Sequence, residues 1–152
     1  ALGPTVNFPL GPDLDDLSNP WIVDDGRPPD HQFEGYELDQ MRRPILRYRF
    51  GRIEISDYCA EFADATTGRL QLRRRISMTS PEQRDGLRFR VAAGSDIALA
   101  RPDVYSIGKR LQVRVMSKHE AKIVDGDDES VLIVPLSIKA GQAQELMLEY
   151  LW

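Results

Sequence analysis

The sequence predicts an all-β fold, an antiparallel β-sandwich, and three observations predict it. Apolar and polar side chains alternate through Ile45–Tyr58, so that Leu46, Tyr48, Phe50, Ile53 and Ile55 share one face. Short runs of the same kind recur every ~8–12 residues with Gly, Pro, Asn or Asp clusters between them, the spacing of a sandwich or barrel. No stretch carries convincing helical periodicity. Gln142–Glu149 comes nearest, but AQELMLEYLW also alternates and its hairpin setting favours strand.

The run ILRYRFGRIEISDY (Ile45–Tyr58) reads as a hairpin that sets the register. Gly51-Arg52 is a two-residue loop with glycine first, which suits a type II′ turn whose twist matches the strands it joins. Pairing Phe50 with Ile53 places Arg49 opposite Glu54 and Tyr48 opposite Ile55. That register puts an ion pair outside and an aromatic–β-branched pair inside.

The other elements follow in order. Residues 1–31 form an extended segment rich in Pro, Gly and Asp. Pro4, Pro9, Pro12, Pro20, Pro28 and Pro29 bar a continuous helix or a central strand. Phe8, Leu10, Leu14, Trp21, Ile22 and Val23 are too apolar for a free tail and anchor this segment on a single domain over residues 32–152. Gln32–Leu38 reads as an edge strand. Ala60–Arg69 reads as a polar connection turning at Ala65-Thr66-Thr67-Gly68. Leu70–Thr79 is a strand in which Arg74 falls on the apolar side, through either a bulge or an edge position that lets it snorkel.

Ser80-Pro81 through Asp85-Gly86 is a turn. Leu87, Phe89 and Val91 then alternate with Arg88 and Arg90, and Ile97 and Leu99 make a short strand. Val104–Ile107 and Leu111–Val115 form a hairpin around Gly108-Lys109. Lys122–Val124 and Val131–Ile138 flank an acidic loop. VLIVPLSI, apolar on both faces, reads as a central strand with Pro135 at a bulge or at its end. In the last strand Leu146, Leu148, Tyr150 and Trp152 share one face.

At 152 residues and 41% hydrophobic content the chain supports one domain with a real core. No apolar run approaches the ~18–20 residues of a membrane span, so no membrane insertion is expected. The chain starts at Ala1 without a basic-then-apolar signal, as an excised or processed piece does. Cys59 is the single cysteine, which excludes an internal disulfide and a CxxCH haem attachment. The net charge of −4 is unevenly spread: residues 1–41 hold nine acids against Arg27, and residues 42–90 hold twelve arginines against six acids. Opposite potentials attract, so the acidic leader is expected to lie across the basic sheet face.

Few constellations suggest chemistry. His31 and His119 lack metal-ligand spacing and read as surface histidines. Asp125, Asp127, Asp128 and Glu129 lack EF-hand spacing and read as a solvated hairpin tip; Asp13, Asp15, Asp16, Asp24 and Asp25 read as turn and capping residues. Cys59 reads as a buried, inert thiol. No GxSxG, HExxH, P-loop or GxGxxG pattern occurs. Arg47, Arg49, Arg73, Arg75, Arg88 and Arg90 alternate on three strands, and share one solvent face if those strands pair. Aromatic residues do not interleave with them, and the chain is acidic overall, so nucleic acid is not expected as a partner.

The run from Asn19 to Tyr58, with LRRRISMTS, GLRFRVAAGSDI and the closing LMLEYLW, resembles a β-domain of very large secreted proteins of planctomycete-type bacteria. Those proteins combine it with a glucose/sorbosone-dehydrogenase-like propeller and a c-type cytochrome module. The resemblance covers roughly residues 19–152 and implies an extracytoplasmic setting in a haem-binding, oxidoreductase-like parent. It also implies a shape like the galactose-mutarotase-like or carbohydrate-binding sandwiches. Cys59 is followed by Ala60 and Glu61, so no haem ligand and no catalytic residue carries over, and no cofactor is expected in this chain.

These readings converge on a non-catalytic structural or interaction module. Arg73, Arg75, Arg88 and Arg90 pack against the leader or a neighbouring domain of the parent chain. The alternative is a carbohydrate-binding module in which Trp21 and Tyr36 stack on sugar. A third reading, a sugar-epimerase-like enzyme, needs His31 or His119 and a carboxylate converging in one pocket.

Overall fold

A computed structural model describes residues 10–11, 31–116 and 118–152. The described residues form twelve strands and no helix: β1 (Leu10–Gly11), β2 (His31–Leu38), β3 (Pro44–Phe50), β4 (Ile53–Ala63), β5 (Leu70–Thr79), β6 (Arg84–Gly94), β7 (Ile97–Arg101), β8 (Val104–Ile107), β9 (Leu111–Met116), β10 (Lys122–Asp125), β11 (Ser130–Ile138) and β12 (Gln144–Leu151). They build a four-stranded sheet, order β1-β6-β11-β10, and an eight-stranded sheet, order β2-β3-β4-β5-β12-β9-β8-β7. Every pairing is antiparallel. Ile53, Ile76, Leu146 and Leu148 of the larger sheet meet Leu87, Phe89, Leu132 and Val134 of the smaller in one apolar core. The chain is a β-sandwich, with side chains alternating between core and outer face as the period of two dictates.

The first hairpin has the expected register: Phe50 pairs with Ile53, Arg49 with Glu54 and Tyr48 with Ile55. Gly51 takes φ 59 whereas Arg52 stays at negative φ, as a type II′ turn requires. Arg49 also reaches sideways, its Nε 3.5 Å from Glu34 of β2.

Several expectations need correction. β4 runs on to Ala63, because Ala63 pairs with Leu70 and the ladder with β5 closes only at the turn; the polar connection is therefore shorter than Ala60–Arg69. β6 begins at Arg84, held by its pairing with Ile138. Pro135 is neither at a bulge nor at the strand end. It sits opposite Arg88 in regular register, and the irregularities fall on either side, at Leu132/Ile133 and Leu136/Ile138. Trp152 lies past the end of β12 and is 60% exposed rather than sharing the core face.

The six arginines do not share one face. Arg47, Arg49, Arg73 and Arg75 stand outside the eight-stranded sheet, whereas Arg88 and Arg90 belong to β6 of the other sheet. The turn that follows β5 is confined to Ser80–Gln83 and carries the chain from one sheet to the other. Of the leader, β1 is described: Leu10 pairs with Phe89 and Gly11 with Arg88, along the edge of β6. The other residues of the 1–31 segment, apart from His31, lie outside the described residues.

Arg74 is the largest departure. β5 is an interior strand, and its register runs unbroken through Cys59–Arg74 and Leu148–Arg74. Neither a bulge nor an edge position explains the residue. Its side chain is 0% exposed, inside the core.

Candidate functional site

The interior charge is neutralised from the adjacent strand. On β4, Ile53, Ile55 and Asp57 face inward; on β5, Leu72, Arg74 and Ile76 do. Arg74 Nε donates to Asp57 Oδ1 at 2.8 Å and Nη2 donates to Oδ2 at 2.5 Å, a bidentate pair. Tyr48 O–H donates to Asp57 Oδ2 at 3.2 Å, and Arg74 Nη1 donates to the Tyr150 hydroxyl at 3.3 Å. The guanidinium also lies 5.1 Å from the Phe89 ring centroid, a contact between the two sheets. Burial alone disfavours the charged guanidinium. The hydrogen bonds to Asp57 and the surrounding negative potential outweigh that penalty and raise its pKa further above the usual range. Burial, then the Asp57 charge, pushes the Tyr48 hydroxyl up, and burial does the same to Tyr150. A buried ion pair whose lone pairs are satisfied this fully fixes sheet register and leaves no open position for a substrate.

A second charge cluster lies on the outer face of the eight-stranded sheet. One register row there reads Ala60, Arg73, Glu149, Arg114, Val104, Arg101 across six strands. Glu149 is 3% exposed. Its Oε1 accepts from Arg73 Nε at 3.2 Å and Nη2 at 2.8 Å, and its Oε2 accepts from Arg114 Nη1 at 3.1 Å. The Arg73 guanidinium stacks 4.4 Å from the Phe62 centroid. Two cations on one carboxylate leave this row net positive.

In the neighbouring row, Leu151, Gln112 and Ser106 line an open groove of about 420 Å³. Residues of the β4–β5 turn (64–69) and of the β8–β9 turn (108–110) line it, as does Trp152. Arg69, Arg101, Lys109, Arg110 and Arg114 line it, against the single acidic side chain of Asp64. Asp64 is already committed: its Oδ1 accepts the N–H groups of Thr66 and Thr67, both at 2.8 Å, which holds its carboxyl below the usual range. Among the described residues, Arg69, Arg101, Lys109 and Arg110 form no ion pair.

The structure disperses the sequence-predicted site residues. Tyr36, on the edge strand β2, is 66% exposed, with Leu38 and Met41 also exposed near that edge. Trp21 lies outside the described residues. Arg73 is engaged by Glu149, and Arg75 stands exposed between Tyr58 and Met147. Arg88 is half-buried. Arg90 is 5% exposed, on the outer face of the four-stranded sheet beside the buried Ala93, Val131 and Ile133.

His119 is partly buried. Its Nε2 lies 3.1 Å from the Glu145 carbonyl oxygen and 3.0 Å from the Gln144 amide nitrogen. The His31 side chain lies outside the described residues. Cys59 is half-buried, and burial, then the Asp57 charge, raises its thiol pKa. The acidic hairpin tip is closed by Ser130 Oγ donating to Asp125 at 2.8 Å and by the Gly126 N–H donating to the Glu129 carbonyl at 3.0 Å. The described residues contain no cluster of three or more His, Cys, Asp or Glu placed to hold a metal.

Sequence reading missed the Arg74–Asp57 pair although a signal was present. Asp57 and Arg74 are opposite charges on the inward parity of adjacent strands. The groove had no such signal, because its charges come from two turns that only the strand order brings together.

No family model matches the chain, and no curated protein matches it. A solved structure shares its fold. It is a chain provisionally described as a kojibiose phosphorylase from human microbiome, matched with a TM-score of 0.51 at 11% identity. The match covers 80% of this chain and 19% of that one, so this chain spans about a fifth of that structure's length. At that identity the likeness concerns the β-sandwich alone, here matched to one part of a longer chain.

Proposed function

We propose that the chain is a non-catalytic packing module of a larger extracytoplasmic protein, with the outer face of its four-stranded sheet covered by residues 12–30. One observation carries the reading: outward-facing Arg90, Ala93, Val131 and Ile133 are buried although they stand on the side of the sheet away from the shared core. β1 brings the leader to the edge of that sheet, and the next described strand begins at His31. The segment between them carries Asp13, Asp15, Asp16, Asp24, Asp25 and Asp30 against Arg27, complementing Arg88, Arg90 and Lys122 on the sheet. The same segment carries the apolar residues Leu14, Leu17, Trp21, Ile22 and Val23. That the match takes up only 19% of the fold neighbour's chain supports a modular role. The sequence resemblance supports the extracytoplasmic, oxidoreductase-like parent.

Zero-length carbodiimide cross-linking of the full chain tests this. Leader aspartates joined to Lys122 are the expected product. Cross-links from residues 12–30 to Lys109, Lys118 or Lys139 with none to Lys122 contradict the covering.

A carbohydrate-binding role is the second reading, favoured by the exposure of Tyr36 and by the kojibiose phosphorylase description of the fold neighbour. In that case Tyr36→Ala abolishes retention on an immobilised glycan.

A further inference from the structure

We propose that the groove between the β4–β5 and β8–β9 turns binds acidic oligosaccharides, sugar chains that carry carboxylate groups. This site lies on the outer face of the eight-stranded sheet and does not depend on what covers the four-stranded one.

The charges give the first reason. Five cationic side chains line the groove, and the single acidic side chain among them, Asp64, is held by two backbone N–H groups. Arg69, Arg101, Lys109 and Arg110 have no ion-pair partner among the described residues. Four of the five cations are arginines, whose planar forks grip a carboxylate through two parallel hydrogen bonds. Arg114 is held in place by Glu149 at 3.1 Å, so part of the cationic wall is preorganised.

The uncharged lining gives the second reason. Gln71, Gln112 and Ser106 offer amides and a hydroxyl, which both donate and accept, as ring hydroxyls do. Trp152, 60% exposed, presents an apolar ring on which the C–H face of a sugar can stack. The volume of about 420 Å³ falls within the roughly 300–1,000 Å³ typical of small-molecule sites. Nucleic acid fits less well. The groove holds one aromatic side chain where a single strand needs a succession of stacking platforms.

Titration calorimetry of the full chain with a short galacturonate oligomer tests the site, beside a neutral galactose oligomer of equal length and a single-stranded DNA. The galacturonate oligomer binds, more weakly as salt rises, and the other two do not. Arg69→Ser with Arg110→Ser weakens binding by about tenfold, and Trp152→Ala does the same. Arg52→Ser, an exposed arginine outside the groove, leaves affinity unchanged. All three variants keep the parent's thermal midpoint, which separates loss of binding from loss of fold. Equal binding of the neutral oligomer, equal binding of DNA, unchanged affinity in both groove variants, or no binding at millimolar concentration each overturns the proposal.

Discussion

Arg74 and Asp57 form a bidentate ion pair in the interior of the sandwich, with 2.8 and 2.5 Å between their paired atoms and both side chains removed from solvent. Cys59 is the direct cross-strand partner of Arg74, so Asp57 reaches it diagonally. Desolvating two charges costs several kcal/mol per ion, and such a pair stabilises the fold only where every remaining donor and acceptor is satisfied. Tyr48 and Tyr150 complete that set here.

The two tyrosines therefore matter for their hydroxyls as well as their rings. Tyr48→Phe and Tyr150→Phe each keep the packing and delete one hydrogen bond to a buried charge. Each variant loses about 1–2 kcal/mol in urea unfolding, and neither changes the slope of the transition.

Asp39 organises the β2–β3 turn. Its Oδ1 accepts the N–H groups of Met41 and Arg43, both at 2.8 Å, and its Oδ2 accepts the Tyr58 hydroxyl at 2.7 Å and Arg43 Nε at 3.1 Å. The Arg43 backbone bond first, then the Tyr58 bond, brings its pKa down from 3.8 to about 2. The folded value lies below the unfolded one, so the unfolded chain takes up the proton more readily. The contribution of this site is complete above the unfolded pKa and is lost as pH falls from 3.8 through about 2. Thermal scans across that window show a falling midpoint, and Asp39→Asn flattens the fall.

Gly51 holds φ 59 with nothing near the position a Cβ would occupy. Gly51→Ala meets no clash and is penalised only by the left-handed backbone. Denaturant titration should show a loss of about 1–2 kcal/mol. An unchanged midpoint would mean that the turn adopts another geometry.

Cys59 combines partial burial with a raised thiol pKa. At pH near 8 its reaction with an aromatic disulfide should run at least about tenfold slower in the folded chain than in urea, since the thiolate is the reactive species. Equal rates would place the thiol in open water.

The strands were legible because one alternating pattern at Ile45–Ile55 and another at Leu70–Thr79 each demand one inward face, and the side-chain period ties register to burial. The partition of strands between sheets was not legible. Arg73 and Arg88 carry the same local pattern, and only the corner at Ser80–Gln83 decides that they end on different sheets. Arg74 looked like an irregularity because its partner, Asp57, sits seventeen residues away on another strand. The groove arose from turns separated by about forty residues, whose side chains converge only because β12 and β9 bring β5 and β8 within reach of each other.

A double-mutant cycle between Asp57 and Arg74, read by urea unfolding, decides whether the interior pair holds the sandwich together. Asp57→Leu and Arg74→Met each strand one buried charge and should each cost about 3–5 kcal/mol. The double variant should cost far less than both together, for a coupling of about 3 kcal/mol. Single costs that add to within about 0.5 kcal/mol would show that the two charges do not meet in the core.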